Sequence, residues 1–146
     1  MNTQILAQLM TRKRQVLTLL RDAAKAQLTL IVSSDLSRLL RVLGVKQPLV
    51  NELHAIDELL MPYRSDEPNS RAWATPAERQ QCRADATACA DLLAELLELE
   101  RRGETELLAR REATQQQLQD LDSTATAQHA YLNLPAMTSS LDLTAD

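Results

Sequence analysis

The sequence predicts an all-α protein, an up-down-up antiparallel three-helix bundle or coiled coil with a long third helix and a flexible C-terminal tail. Leu and Ala dominate the apolar residues of the 146-residue chain, Phe is absent, and only two glycines and five prolines occur. Leu, Ala, Gln, Glu and Arg favour helices, whereas sheets favour β-branched and aromatic residues. Because left-handed turns usually need glycine, we expect few turns and therefore a few long helices.

The first predicted helix covers about 3–32. Its apolar residues recur at three- and four-residue spacings, which places them on one helix face. They are Ile5, Leu6, Leu9, Val16, Leu17, Leu20, Ala24, Leu28 and Ile31. Ser33, Ser34 and Asp35 then predict a tight turn, in which a side-chain oxygen caps the next helix.

The second predicted helix covers about 35–61. Its apolar residues are Leu36, Leu39, Leu40, Leu43, Val50, Leu53, Ile56 and Leu60. Gly44 and Pro48 interrupt it, and an interior proline costs a helix about 3 kcal/mol. We expect a kink near 44–47 rather than an end, because the apolar spacing resumes in phase. The connector 63–75 has Trp73 as its main apolar residue, so we expect it to be mobile.

The third predicted helix covers about 76–130. Thr75 fits the N-cap position, Pro76 the first helical position, and Glu78 follows three residues after the cap. The apolar residues are Cys82, Ala86, Cys89, Leu93, Leu96, Leu97, Leu107, Leu118, Leu121 and Ala125. The sequence does not decide whether this helix is continuous past Gly103. Residues 133–146 are polar and lack periodicity, so we predict a bundle over 1–132 and a flexible tail over 133–146.

The predicted lengths leave part of the third helix without a partner. At 1.5 Å per residue the first helix spans about 45 Å and an unbroken third helix about 80 Å. Tertiary packing supplies most helix stability, so the uncovered part must fold back, dimerise or meet a partner. The predicted partner-binding residues are Leu107, Leu118, Leu121, Ala125, Tyr131, Leu132 and Leu134.

Charge and hydropathy argue against nucleic acid and membrane partners. The chain has 16 Lys and Arg against 20 Asp and Glu, a net charge of −4, whereas nucleic-acid binders need a basic face. No apolar run approaches the roughly 20 residues that span a membrane. Cys82 and Cys89 lie two turns apart on one helix face, too far for a disulfide, so we expect buried thiols and a cytoplasmic protein.

No pattern in the sequence indicates an enzyme, and we expect no catalytic residue, metal or cofactor. His54 and His129 lack the spacing of a zinc site, and no Gly-rich phosphate loop occurs. A histidine phosphotransfer domain is the enzyme-linked alternative, with His54 as phosphoacceptor. Such domains usually carry Lys three residues after the histidine, whereas Asp57 and Glu58 follow here and would repel a phosphoryl group.

Two stretches resemble the FlgN-like flagellar export chaperones. One is DLSRLLRVLGVKQPLVNELHAIDELL, which begins at Asp35 and carries a Lys-Gln pair at 46–47 before a Leu-rich stretch with Leu49, Leu53, Leu59 and Leu60. The other is CADLLAELLELERRGETEL, over 89–107, which is similar to the long third helix of that family. The likeness covers most of 3–130, and Pro48 departs from the helix former that is usual in its place.

The resemblance implies a cytoplasmic type III secretion chaperone that binds FlgK-like and FlgL-like hook-filament junction proteins before their export. It also implies that the cargo contacts the end of the third helix and the tail, which agrees with the uncovered leucines. Two alternatives stay open: a coiled-coil scaffold or homo-oligomer, in which the uncovered part pairs with itself, and the phosphotransfer domain.

Overall fold

The structure, a computed structural model, describes the backbone of residues 2–145 and the side chains of 2–132. It contains helices α1 (Thr3–Ser33), α2 (Leu36–Arg64) and α3 (Pro76–Ala145), and a 3₁₀ turn at Pro68–Ser70. No strand occurs over 2–145, which confirms the all-α prediction. The chain forms two compact units, Met1–Glu106 and Leu107–Asp146. The predicted flexible tail, 133–146, lies outside the described side chains and stays a prediction.

The turn between α1 and α2 depends on one left-handed residue. Ser34 has φ 59° and ψ 31°, and its backbone N–H donates to the Ile31 carbonyl, so α1 ends there. The carboxylate of Asp35 accepts a hydrogen bond of 3.2 Å from the Arg38 amide, in the first turn of α2. The predicted cap at Asp35 is therefore confirmed, and the two helices are only two residues apart.

The other two helix starts are also capped by side chains. The Thr75 hydroxyl accepts a hydrogen bond of 3.1 Å from the Glu78 amide, and Pro76 occupies the first position of α3, both as predicted. At the start of α1 the side chain of Asn2, which the sequence argument did not name, accepts two backbone amides at 2.8 and 3.4 Å. These bonds satisfy donors that a helix leaves unpaired in its first turn.

The hydrophobic core lies in the first unit, where α1, α2 and the first part of α3 meet. Its buried members are Leu6, Val16, Leu17, Leu20, Ala24, Ile56, Leu60, Cys82, Cys89, Leu92, Leu96 and Leu99. Contacts of α1 with α2 join early residues of one helix to late residues of the other, at Asn2–Tyr63, Arg12–Glu52 and Gln27–Lys46. Contacts of α1 with α3 join early residues of α1 to early residues of α3 and later residues to later ones, at Thr11–Asp85, Lys25–Glu95 and Ile31–Gly103.

The sequence argument chose the wrong phase for part of α3. Ala86, Leu93 and Leu97 were predicted to face the core, but all three are exposed, Leu97 at 62%. The buried positions instead form a seam with strictly alternating three- and four-residue spacing, Cys82, Asp85, Cys89, Leu92, Leu96, Leu99 and Gly103. Doublets such as 92–93 and 96–97 offer two apolar faces one residue apart, and packing against α1 and α2 selects one of them.

Part of the predicted apolar face of α2 is also exposed. Leu36, Leu40 and Leu43 were predicted to be buried, but they are 70, 67 and 41% exposed, and Leu39 alone among the leucines of this turn is buried. The helix is unbroken across Gly44 and Pro48. It ends at Arg64, three residues beyond the predicted end, because Pro62 is also included in the helix.

The connector between α2 and α3, expected to be mobile, makes specific contacts with the helices. The Thr3 hydroxyl donates to the Ala72 carbonyl at 2.8 Å, and the Arg71 guanidinium donates to the Tyr63 carbonyl at 2.6 Å. Trp73 and Tyr63 pack on the core as partly buried side chains. These contacts bring the start of α3 beside the start of α1.

Both glycines lie inside helices and make a matched pair for a stability test. A Cβ added at Gly103 would lie 3.7 Å from Ile31 Cδ1, an ordinary contact, and one added at Gly44 would meet nothing within 4 Å. Because glycine inside a helix costs about 0.5–1 kcal/mol relative to alanine, Gly103→Ala and Gly44→Ala should each raise the free energy of unfolding by that amount. Urea denaturation measures both, and a loss of stability in Gly103→Ala alone would mean that the helices approach more closely there.

Candidate partner-binding surface

The second unit carries an exposed apolar face on α3. Leu107, Leu118, Leu121, Ala125 and Leu132, here called the C-terminal face, are separated by 11, 3, 4 and 7 residues. Eleven residues make just over three full helical turns, so these spacings place all five side chains on one side of the helix. Leu107, Leu118, Leu121 and Leu132 are 44, 58, 65 and 69% exposed. Every residue of 111–132 is exposed.

The other two predicted partner-binding residues, Tyr131 and Leu134, are not among the five that define the C-terminal face. Tyr131 is 73% exposed, but it precedes Leu132 by one residue and therefore lies about 100° around the helix from it. Leu134 lies outside the described side chains. Leu108, which the prediction did not include, is 54% exposed, and it also lies about 100° around the helix from its neighbour in the face, Leu107. The structure thus brings most of the predicted leucines together and separates the tyrosine from them.

The same part of the chain is strongly acidic. After Arg111 the sequence contains no Lys or Arg, while it contains Glu112, Asp120, Asp122, Asp142 and Asp146. Asp120 and Asp122 are exposed on either side of Leu121 in the sequence. A partner that covers the C-terminal face therefore meets carboxylates beside the leucines, and basic groups on that partner would complement them.

A second surface lies in the first unit, between the end of α1 and residues 101–106 of α3. It is a groove of about 540 Å³, here called the α1–α3 groove, lined by Leu28, Thr29, Val32, Ser33, Arg101, Arg102, Thr105 and Glu106. Leu28 and Val32 supply its apolar part, and Val32 is 52% exposed. Arg101 donates to the Glu98 carboxylate at 2.6 Å, which lowers the pKa of Glu98.

One carboxylate is buried in the seam between α1 and α3. Asp85 is 3% exposed, and its oxygens accept hydrogen bonds from Arg14, Thr11 and Gln81 at 3.0, 3.1 and 3.1 Å. A buried charge is tolerated when it is paired and hydrogen-bonded in this way. The sequence argument missed this residue, although its position three residues after Cys82 and four before Cys89 was a usable signal.

A second polar layer joins all three helices. The Lys46 ammonium on α2 donates to Gln27 of α1 at 2.6 Å and to the carboxylate of Glu100 on α3. Gln27 is buried, and the side chain of Lys46 is only 12% exposed. A polar layer inside an apolar core disfavours sliding of the helices, because any shift leaves these groups unpaired.

Two cysteines and two histidines are the described side chains that the sequence argument considered for catalysis or metal binding. Cys82 and Cys89 are free and buried, as predicted, and burial raises the pKa of both thiols, which disfavours the reactive thiolate. His54 and His129 are both exposed. Over the described residues, no group of three or more His, Cys, Asp or Glu is arranged to hold a metal ion. Within the same part of the chain, none of the helices has the length and apolar character that crossing a bilayer demands.

Comparisons of the chain with protein-family models, with curated proteins and with solved structures found no match.

Proposed function

We propose that this chain is a cytoplasmic type III export chaperone of the flagellum, an up-down-up three-helix bundle that binds FlgK-like and FlgL-like hook-filament junction proteins before secretion. The observation that supports it is the C-terminal face, whose leucines are 44–69% exposed on α3, where every residue of 111–132 is exposed. Exposed apolar faces of this kind mark interaction sites. The likeness to FlgN-like sequences over 35–60 and 89–107 supplies the class of cargo.

The proposed mechanism is packing of an amphipathic cargo helix along the C-terminal face. Burying a leucine side chain contributes about 1.5–3 kcal/mol, so Leu118 and Leu121 together can supply much of the binding free energy. Asp120 and Asp122 would select cargo helices with basic residues beside their apolar face. The bound chaperone would shield cargo surface that otherwise self-associates, and no covalent step is needed.

The test is the double variant Leu118→Ala with Leu121→Ala, assayed for binding of a FlgK-like protein by calorimetry. We expect affinity to fall by about 100-fold or more, because two leucine contacts are lost. Thermal stability should stay nearly unchanged, because both side chains are more than half exposed.

The matched control is Leu40→Ala with Leu43→Ala, which removes two exposed leucines at the same spacing from the first unit. This control should bind cargo like the unchanged protein. If the Leu118 and Leu121 variant unfolds, those leucines are core residues. If the variant binds cargo fully, the cargo binds elsewhere on the molecule. Equal loss in the control would show that cargo binding is not specific to the C-terminal face.

A further inference from the structure

A small cavity in the first unit is lined by three arginines. It has a volume of about 210 Å³ and lies where the connector meets the start of α3, with Pro68, Arg71, Trp73, Arg79, Cys82 and Arg83 as its lining residues. We propose that this cavity, here called the arginine cavity, binds a phosphate group, either as the free ion or as the monoester of a small molecule.

Local structure brings the three guanidinium groups to one cavity. Arg79 and Arg83 are four residues apart in the first turns of α3, a spacing that places them on the same helix face. Arg71 has an extended backbone, with φ −75° and ψ 132°, and residues two apart in an extended chain, such as Arg71 and Trp73, lie on the same side. The Thr3 hydroxyl donates to the backbone carbonyl between these two residues, which fixes the connector on α1.

The arginines of this cavity are not neutralised by ion pairs. Among residues 2–132, none of the three forms an ion pair with a carboxylate. Arg71 donates from Nη2 to the Tyr63 carbonyl at 2.6 Å, but its Nε is buried and has no hydrogen-bond partner among the same residues. A buried donor without a partner is destabilising, so an acceptor on a bound ligand that reaches this Nε would be favoured.

The carboxylates that are closest to these arginines in the sequence do not line the cavity. They are Asp66, Glu67, Glu78 and Asp85. Asp66 and Glu78 line two other cavities, and Asp85 is paired with Arg14. The charged side chains that line the arginine cavity are therefore all positive, although the chain as a whole is acidic.

The number of donors favours phosphate over a carboxylate. A carboxylate has one charge and two oxygens, whereas a phosphate monoester has a charge of about −1.5 to −2 and three strong acceptor oxygens. Arginine binds phosphate oxygens through two parallel hydrogen bonds. The volume lies below the roughly 300–1,000 Å³ of pockets for drug-sized ligands, so the cavity suits one phosphate group on a small carrier. Pro68 and Trp73 give that carrier an apolar wall.

This proposal does not depend on the export role, because every lining residue belongs to the first unit and none belongs to the C-terminal face. The two can fail separately, since cargo binding is tested by changes at Leu118 and Leu121 and phosphate binding by changes in the arginine cavity.

The first test is titration of the full chain with inorganic phosphate, with ionic strength held constant by sodium chloride. Trp73 is the single tryptophan and lines the cavity, so its fluorescence should change until the site is saturated, and calorimetry should show one site per chain. Phenyl phosphate and acetate are compared by calorimetry. Tighter binding of phenyl phosphate than of phosphate would identify a monoester as the ligand, and equal binding would identify the free ion. Acetate binding as tight as that of phosphate would overturn the assignment.

The test variant is Arg79→Gln with Arg83→Gln, which removes two of the three positive charges and leaves Arg71 in place. Both residues are exposed, so the variant should fold, which circular dichroism checks. We expect its affinity for phosphate to fall by about 10-fold or more, because two charge-assisted hydrogen-bond partners are lost.

The matched control is Arg41→Gln with Arg102→Gln, which makes the same change in net charge at two exposed arginines of the first unit that do not line the cavity. This control should bind phosphate like the unchanged chain. The proposal is overturned if the unchanged chain shows no saturation up to about 10 mM phosphate. Full affinity in the test variant, or an equal loss in the control, would also overturn it.

Discussion

Leu17→Ala is expected to lower the free energy of unfolding by about 2–5 kcal/mol, the usual range for removing a buried leucine side chain. Leu17 has no exposed surface and lies in the core cluster beside Val16 and Leu20 on α1. The substitution removes apolar contacts and leaves a cavity that neighbouring helices fill only partly. Since small proteins are stable by about 5–15 kcal/mol, this one change would cost a large share of the total.

The measurement is urea unfolding followed by circular dichroism, with Leu19→Ala as the matched control. Leu19 is on the same helix, two residues away, and is 48% exposed. It loses the same atoms without leaving an enclosed cavity, so its effect should be well under half as large. Equal losses in the two variants would show that α1 does not direct Leu17 into the core.

Arg14→Ala is expected to destabilise the protein by about 1–2 kcal/mol, whereas Asp85→Leu should be neutral or stabilising by up to about 2 kcal/mol. The asymmetry follows from burial. The Asp85 side chain is 4% exposed and that of Arg14 is 46% exposed. Removing the arginine leaves a buried carboxylate without its cation, while removing the carboxylate leaves an arginine that water can solvate.

The expected cost for Arg14→Ala is moderate because Thr11 and Gln81 still donate to Asp85, and because the arginine is partly screened by solvent. Asp85→Leu would continue the apolar seam between Cys82 and Cys89. Denaturant melts of the two variants and of the double variant measure the coupling. Strong destabilisation by Asp85→Leu would contradict this expectation. It would show that the Asp85 carboxylate itself stabilises the packing of α1 against α3.

The helix positions were largely predictable, because their signals are local. Asp35 and Thr75 cap helices through hydrogen bonds within three residues, and such bonds follow from sequence alone. The end of α2 was less predictable, because Pro62 is ordinarily a terminator and here lies within the helix. Contacts of Tyr63 with Asn2 and Arg71 show that tertiary structure supports that last turn.

Which leucines are buried was less predictable, because burial depends on neighbours that are distant in sequence. The doublets 92–93 and 96–97 fit two helix faces equally well, and only packing against α1 decides between them. Asp85 was missed because a charged residue is rarely fully buried, and Arg14, its partner, is 71 residues away. Periodicity alone cannot supply such pairings.

The candidate surface was predicted mainly from length. The expectation that leucines beyond Leu107 bind a partner stays a prediction; Leu118, Leu121 and Leu132 are each more than half exposed, and Leu108, also more than half exposed, was overlooked. The α1–α3 groove was not anticipated, because it combines residues from the end of α1 with residues near 101–106 of α3.

The chain has a single tryptophan and no phenylalanine, and Trp73 is packed on the core of the first unit. Its fluorescence is therefore a reporter of that unit alone, whereas far-ultraviolet circular dichroism sums helix content from both units. If the two signals melt together, the long helix unfolds with its core as one cooperative species. If ellipticity falls first at constant emission, the second unit unwinds on its own, and no engineered label is needed to tell the two events apart.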